Sequence, residues 1–169
     1  MRQNKFKATL LPITDKLFRL ALSITGNKED AEDVVQDVLL QIWKKENWEN
    51  IENIEAYCFR ATRNRALDTI ALKDNRIESL LDDFDCPAQE DIGLKIEAQE
   101  QIDIIEKWLK KLPEKQQTIF RLREAEELSY KEIAITLNIT EEQVKINLFR
   151  LRQKLKEYID KNEYDTRRN

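Results

Sequence analysis

Apolar residues recur at intervals of three and four along most of the chain, which is the spacing of amphipathic helices. The first such stripe runs from Leu10 to Ile24, and Gly26 follows at the point where a helix would end. The chain contains only two glycines and three prolines, so few segments favour hairpins or sharp loops. The pattern therefore predicts an all-α protein.

Two further helices are predicted in the amino-terminal half. One extends from about residue 28 to residue 45 and carries an apolar face opposite an acidic one. The polar stretch KENWENIEN then predicts a loop, and a helix with several arginines follows over about 54–73. These elements predict a three-helix domain over residues 1–76.

The apolar pattern fades after residue 76, where the chain becomes acidic and contains Pro87 and Gly93. We interpret residues 77–98 as an acidic linker between two small domains. Periodicity returns at Ile102, stops at Pro113 and restarts at once, because proline suits the first turn of a new helix. The pattern predicts a four-helix domain over 99–161 and a frayed tail over 162–169.

The stretch SYKEIAITLNITEEQVKINLFRLRQKL predicts two helices joined by a bend without glycine or proline. Ser129 with Glu132 fits one capping box, and Thr140 with Gln143 fits a second, so each helix has its own start signal. Asn138 stands where the turn requires a left-handed residue, which asparagine tolerates. This arrangement is typical of a helix-turn-helix that places its second helix in a major groove.

Charge is strongly segregated along the chain although the net charge is only -4. Residues 27–56 carry three basic and nine acidic residues, whereas residues 143–156 carry five basic residues and no acid. Local fields decide what a surface binds, so this basic run favours DNA over the alternative of a solvated helical hairpin. The side chains predicted to reach bases or phosphates are Gln143, Lys145, Asn147 and Arg150, and those placed for phosphates alone are Arg152, Lys154 and Lys156.

The composition argues against an enzyme and predicts no cofactor. The chain has no histidine, the commonest general base and zinc ligand, and Cys58 and Cys86 form no CxxC pair. The carboxylates at 29, 30, 32 and 33 are the remaining metal candidate, but they lie in one solvated helical run without a second cluster. No secretory signal and no stretch of about 18 apolar residues is present, so we expect a cytoplasmic protein without membrane insertion.

Two motifs resemble those of bacterial sigma factors. LPEKQQTIFRLREAEELSYKEIAITLNITEEQVKINLFRLRQKL is similar to their carboxy-terminal domain, and NKEDAEDVVQDVLLQIWKK followed by NIEAYCFRATRNRALDTI resembles their promoter-melting domain. The order of the motifs and the short chain resemble the extracytoplasmic-function (ECF) group. The resemblance implies an RNA polymerase sigma factor that directs promoter-specific initiation, with core polymerase (β′ clamp helices and β flap) and promoter DNA as partners.

The resemblance also implies roles for individual residues. The residues implied to contact core polymerase are Asp33, Gln36, Asp37 and Gln41, and the acidic helix face on which they lie suits a basic groove. The residues implied to contact the minus-ten element are Trp48, Asn50, Arg60, Arg63, Asn64, Arg65, Lys73 and Arg76. Trp48 would stack on a flipped base, unless it belongs to the core. The minus-thirty-five element is assigned to Gln143, Lys145, Asn147, Arg150, Arg152 and Lys154.

This chain departs from the family pattern after its third helix. Many members follow the third helix with a dense arginine run, whereas this chain has LKDNR, which weakens the expected duplex contact there. The alternative function is a dimeric helix-turn-helix regulator that never contacts polymerase. An anti-sigma partner is common in the group, although no residue here encodes one, and a compact form of the free protein that hides both DNA surfaces is a further hypothesis.

Overall fold

The computed structural model describes the backbone of residues 1–77 and 96–168 and the side chains of residues 1–74 and 99–168. Within these ranges the chain forms seven α-helices, one short 3-10 turn at Trp48–Asn50 and no strand. The helices are α1 (Arg2–Thr25), α2 (Lys28–Lys44), α3 (Ile54–Ile77), α4 (Ile96–Lys110), α5 (Glu114–Glu124), α6 (Tyr130–Leu137) and α7 (Glu141–Arg168). The prediction of an all-α protein is confirmed.

The boundary between α1 and α2 is set by two adjacent residues. Gly26 has φ 67°, and its backbone N–H donates to Leu22 O, so glycine closes α1 in the left-handed conformation. Asn27 then caps α2, because its side-chain oxygen accepts a hydrogen bond from the backbone N–H of Asp30. The sequence places this boundary correctly.

The amino-terminal half is built from α1, α2 and α3, which pack against one another. Their apolar stripes meet in a core that includes Leu17, Val34, Ile42 and Phe59. Burial of such side chains is the main stabilising contribution to a small helical domain. The same packing fixes the acidic face of α2 and the basic face of α3 on neighbouring surfaces.

The carboxy-terminal half is built around α5, α6 and α7, with α4 against α7. Ile133 on α6 and Leu148 on α7 are fully buried together with Leu122 on α5. A smaller cluster, in which the rings of Trp108 and Phe120 meet edge to face with their centroids 5.4 Å apart, attaches α4. The core of this half therefore holds the two helices of the predicted helix-turn-helix at a fixed angle.

The two halves pack directly on each other. Helix α3 lies against α6, and α1 touches α5. Buried residues of both halves, among them Cys58 and Ala66 on one side and Ile133 and Leu137 on the other, belong to a single apolar cluster. The described residues therefore form one closed body.

The structure bears on two of the predicted boundaries, those of the linker and of the carboxy-terminal tail. The predicted linker lies outside the described residues, except for the backbone of residue 77 in α3 and of 96–98 in α4. The prediction of a frayed tail over 162–169 was wrong as far as Arg168, because α7 continues as a helix to that residue. Asn162 Nδ2 donates to Tyr158 O at 2.9 Å, and Thr166 Oγ1 donates to Asn162 O at 2.8 Å. With no glycine or proline after Pro113, nothing in the sequence stops this helix.

Candidate functional site

The bend between α6 and α7 has the geometry of a helix-turn-helix. Ser129 Oγ accepts from the N–H of Glu132 at 3.1 Å, and the Glu132 carboxylate accepts from the N–H of Ser129 at 2.8 Å. Thr140 and Gln143 make the corresponding pair at 3.0 and 3.1 Å. Asn138 has φ 54° and ψ 50°, and its N–H closes α6. Both capping boxes and the left-handed asparagine are confirmed.

Helix α7 presents a polar outer face above its buried stripe. Val144, Leu148 and Leu151 are buried, whereas the predicted contact residues Gln143, Lys145, Arg150 and Lys154 are exposed. Asn147 is half-buried and donates from Nδ2 to Gln143 O at 2.7 Å. Since lysine, arginine and amide groups are those that reach phosphates and base edges, this face suits a major groove.

Arg152 is held differently from the other basic residues of α7. Its Nε and Nη2 donate to Glu124 Oε1 at 2.9 and 2.7 Å, which ties α7 to the end of α5. The hydrogen bond to Glu124 raises the pKa of the Arg152 guanidinium, with a further contribution from Tyr130. A structural role therefore competes with the phosphate contact predicted for this residue.

Two apolar residues on the outer face of α7 escaped the sequence interpretation. Phe149 is 63% exposed and Ile146 is also exposed. Both lie off the stripe formed by Val144, Leu148 and Leu151, and this spacing was the signal that could have revealed them. Apolar side chains in a major groove contact the methyl group of thymine.

The acidic face of α2 is largely available to a partner. Asp33, Gln36 and Gln41, predicted to contact polymerase, are exposed. Asp37, the fourth predicted residue, is half-buried and accepts two hydrogen bonds from Arg65 on α3. Three of the four side chains therefore form an open surface, and the fourth also connects two helices.

The structure places Trp48 in the core, which was the alternative to stacking on a flipped base. Trp48 is 2% exposed, and its ring meets Phe6 edge to face at 5.4 Å. Apolar area brought out of water explains the preference for the core, which was the alternative. Asn50, two residues on, is exposed and is the polar side chain that the loop presents.

The first turns of α1 hold this loop, which the sequence did not indicate. Arg2 Nη2 donates to Trp43 O and Lys45 O at 2.8 and 2.7 Å, at the carboxy-terminal end of α2. Lys5 Nζ lies 2.7 Å from a carboxylate oxygen of Glu49. Long-range contacts of this kind leave no periodic signal in a single sequence.

The polar and basic residues of α3 that are predicted for the minus-ten element fall into two groups. Arg60 and Asn64 are exposed on α3. Three cations are paired with carboxylates: Arg63 with Glu114, Arg65 with Asp37, and Lys73 with Asp30. The side chain of Arg76 lies outside the described residues. Part of the positive surface expected on α3 is therefore already neutralised within the molecule.

The structure corrects the hypothesis of a compact form that hides both DNA surfaces. The closed arrangement covers Arg63, whose side chain is 18% exposed, but leaves the outer face of α7 open.

No group of three or more possible metal ligands occurs among the described residues, including the acidic run of α2. Within the same residues, no helix combines the length and apolar character needed to cross a membrane.

The fold and these surfaces define a two-part helical protein of the DNA-binding helix-turn-helix class. Family profiles described as "Sigma-70 region 2" and "Sigma-70, region 4" match residues 12–76 and 102–155, so together they match well over half of the chain. The chain belongs to the sigma-70 family and is of the ECF type.

Two named relatives agree with this assignment. ECF RNA polymerase sigma factor SigE of Mycolicibacterium smegmatis is 29% identical over 90% of this chain. The matched region spans only 60% of the length of SigE. ECF RNA polymerase sigma factor SigM of Bacillus subtilis is 26% identical over 83% of this chain and 86% of its own length.

Two solved structures share the fold. One is the sigma factor RpoE in complex with the anti-sigma factor NepR from Bartonella quintana, with a TM-score of 0.68, 23% identity and coverage of 92% of this chain and 97% of that chain. The other is CnrH in complex with the cytosolic domain of CnrY, with a TM-score of 0.66, 20% identity and coverage of 94% and 89%.

Proposed function

We propose that this protein binds core RNA polymerase and directs initiation at specific promoters as an ECF sigma factor. The observation that carries the proposal is the presence, in one chain and in the family order, of an exposed acidic face on α2 and a helix-turn-helix with a basic outer face. The protein acts in the cytoplasm, where polymerase and chromosomal DNA lie, and catalyses no reaction itself.

In this mechanism the acidic face of α2, on which Asp33 lies together with the neutral Gln36 and Gln41, docks on a basic groove of the polymerase. Charge complementarity accelerates the encounter and keeps this face away from DNA. Because the docked protein is tethered near the promoter, weak contacts by each half act together at high effective concentration.

The outer face of α7 then reads the minus-thirty-five duplex. Lys145, Arg150 and Lys154 supply positive charge, and Gln143 offers its amide nitrogen because its amide oxygen already accepts the Thr140 N–H. Phe149 and Ile146 add contact with thymine methyl groups.

The exposed side chains of Arg60, Asn64 and Asn50 are proposed to hold the separated minus-ten strands. Trp48 supports the loop from beneath and takes no part in stacking. A protein partner that restrains the sigma factor, of the kind present in the RpoE structure, is a further proposed interaction.

The experiment that tests the function is capture of purified core polymerase by the tagged protein. We expect the Asp33→Arg, Gln36→Ala double variant to lose capture, because it reverses charge on the exposed face of α2. Asp165→Arg is the matched control, since it makes the same charge change on an exposed residue near the end of α7.

Folding of each variant is checked by circular dichroism. If the wild type captures no polymerase but shifts duplex DNA as a dimer, the sigma-factor proposal is wrong and a dimeric regulator replaces it. If the double variant captures polymerase as well as the control does, the acidic face of α2 is not the docking surface.

A further inference from the structure

The contact between α3 and α5 joins a predicted DNA-binding cation to a carboxylate of the other half. Arg63 Nε lies 3.0 Å from Glu114 Oε1, and Arg63 Nη2 lies 2.5 Å from Glu114 Oε2. Two parallel hydrogen bonds between a guanidinium fork and a carboxylate form the most specific geometry available to an arginine. The Nε–Nη2 edge of the Arg63 guanidinium is thereby occupied by Glu114.

Glu114 is positioned for this contact by its own helix. It is the first residue of α5, directly after Pro113, where a negative charge is favoured by the helix dipole. Thr118 Oγ1, one turn later, donates to Glu114 Oε1 at 2.6 Å. The carboxylate is thus preorganised before the two halves meet.

A second ion pair closes the same interface at another point. Arg19 on α1 donates from Nε and Nη2 to the two oxygens of Glu126, both at 2.8 Å. The Glu126 side chain is only 5% exposed. Helix α6 packs beside it on α3, and Thr136 Oγ1 lies 3.5 Å from Ala56 O. The closed arrangement therefore has both apolar and ionic support.

We infer that Glu114 occupies the position of a DNA phosphate on Arg63 in the closed protein, so that capture of a single strand requires α5 to leave α3. This inference rests on the proposed function, because it takes Arg63 as a strand contact. The Nε–Nη2 edge of a guanidinium matches carboxylate and phosphate groups alike, and while Glu114 occupies this edge a phosphate cannot bind there. Glu114 is then an intramolecular competitor of the strand.

The pair of Arg63 and Glu114 does not inhibit the contact of α7 with duplex DNA. The outer face of α7 remains exposed in the closed protein, so duplex contact by α7 does not require separation of the halves. Strand capture is the step that the Arg63 and Glu114 pair inhibits.

The test measures binding of a fluorescein-labelled single-stranded oligothymidylate to the full chain by anisotropy, without polymerase. We expect Glu114→Gln to bind at least about fivefold more tightly than the wild type, because it removes the charge-assisted pair. Asp165→Asn is the control for the change in net charge, and it is expected to bind like the wild type.

Two further variants separate the inference from simpler explanations. Glu114→Asp keeps the charge but shortens the side chain, so it is expected to show part of the gain. In the Arg63→Ala, Glu114→Gln double variant the gain is expected to disappear, since the strand has lost its cation. Thermal melting by circular dichroism establishes that each variant is folded.

The inference is overturned if Glu114→Gln binds the strand no better than Asp165→Asn, or if the gain survives removal of Arg63. Polymerase capture is measured separately, so the strand-binding result can be interpreted even if the sigma-factor proposal fails. Small-angle scattering supplies the conformational readout: a closed chain of 169 residues has a radius of gyration of about 15 Å, and Glu114→Gln is expected to raise it.

Discussion

The guanidinium of Arg65 on α3 donates two hydrogen bonds to a single oxygen of Asp37 on α2, at 3.0 Å from Nε and 2.8 Å from Nη2. The sequence assigned these residues to different partners, Asp37 to polymerase and Arg65 to DNA. Their pairing connects the acidic face of α2 to the basic face of α3, so a change at either residue alters the charge that the other presents.

The first prediction concerns this pair. Both side chains are more than a third exposed, so solvent screens the interaction, and Asp37→Asn is expected to lower the free energy of unfolding by less than about 1 kcal/mol. Asp37→Arg places two cations side by side and is expected to cost more than Asp37→Asn. Urea unfolding followed by circular dichroism measures both.

Asp33→Arg is the matched control, because it makes the same charge reversal at an exposed position of α2. If Asp33→Arg and Asp37→Arg destabilise the protein equally, the pair with Arg65 has no specific role in holding α2 to α3.

The second prediction concerns the left-handed residue in the bend. Asn138 has φ 54°, which lies in the left-handed region. This region disfavours a residue with a β-carbon by about 1 to 2 kcal/mol, unless its side chain can form a local hydrogen bond as that of asparagine can. Asn138→Ala is therefore expected to lower stability by about 1 kcal/mol, whereas Asn138→Gly is expected to be close to neutral. Thermal and urea unfolding rank the three proteins, and an alanine variant as stable as the wild type would contradict the argument.

The sequence predicted local features of this protein far better than its long-range contacts. Gly26, Asn138 and the two capping boxes act within four residues, so their chemistry is visible in one stretch of sequence. The pairs of Arg63 with Glu114 and Arg19 with Glu126 join residues far apart in the chain. Such pairs depend on how the halves meet, which no periodicity encodes.

Burial of a single aromatic residue shows the same limit. Trp48 lies in a polar stretch that predicts a loop, and the stretch is indeed irregular apart from one 3-10 turn. Its ring is buried because Phe6, more than forty residues earlier, lies against it. Side-chain direction in a loop is decided by such tertiary neighbours, so local propensity could not distinguish a stacking role from a core role.

The third prediction compares the two capping boxes. Ser129→Ala removes the oxygen that accepts the N–H of Glu132, and Thr140→Ala removes the acceptor for the N–H of Gln143. Each is expected to lower the free energy of unfolding by about 0.5 to 2 kcal/mol. Urea unfolding tests the values.

The two variants differ in their effect on DNA. Thr140 caps the helix that presents Lys145 and Arg150, so Thr140→Ala is expected to weaken duplex binding more than Ser129→Ala does. Electrophoretic mobility shifts with the holoenzyme compare them. Equal losses in binding at equal stability would show that the cap of α7 has no separate effect on the DNA face.

The fourth prediction concerns pH. The two hydrogen bonds from Arg121 hold the pKa of Glu106 below its ordinary value of 4.5. A carboxyl group with a lowered pKa in the folded state adds stability above the pKa of the unfolded state, and that contribution is lost as pH falls through the folded pKa. Glu106→Gln is therefore expected to be less stable than the wild type near pH 7, with the difference shrinking below about pH 4.

Urea unfolding at several pH values between 3 and 7 measures this difference. Glu157→Gln, at an exposed position of α7, is the control and is expected to show no comparable change. A difference that stays constant down to pH 3 would mean that Glu106 stabilises the protein by packing and not by its charge.

The fifth prediction concerns the buried thiol on α3. Burial raises the pKa of Cys58 to about 12, with a smaller contribution from the charge of Glu55. Because the thiolate is the reactive form, its fraction at pH 8 is expected to be roughly a thousandfold lower than for a thiol with the ordinary pKa of 9.0. In a Cys86→Ser variant, iodoacetamide is expected to alkylate Cys58 slowly in buffer and rapidly in urea.

The rate also reports on the core that surrounds the thiol, because alkylation in buffer must pass through an opening of the structure. The rate in buffer is expected to fall when stabilising solutes are added and to rise with destabilising core substitutions such as Leu17→Ala. Alkylation of the folded variant as fast as that of the unfolded chain would contradict the burial of Cys58 and, with it, the packing of α3 on its neighbours.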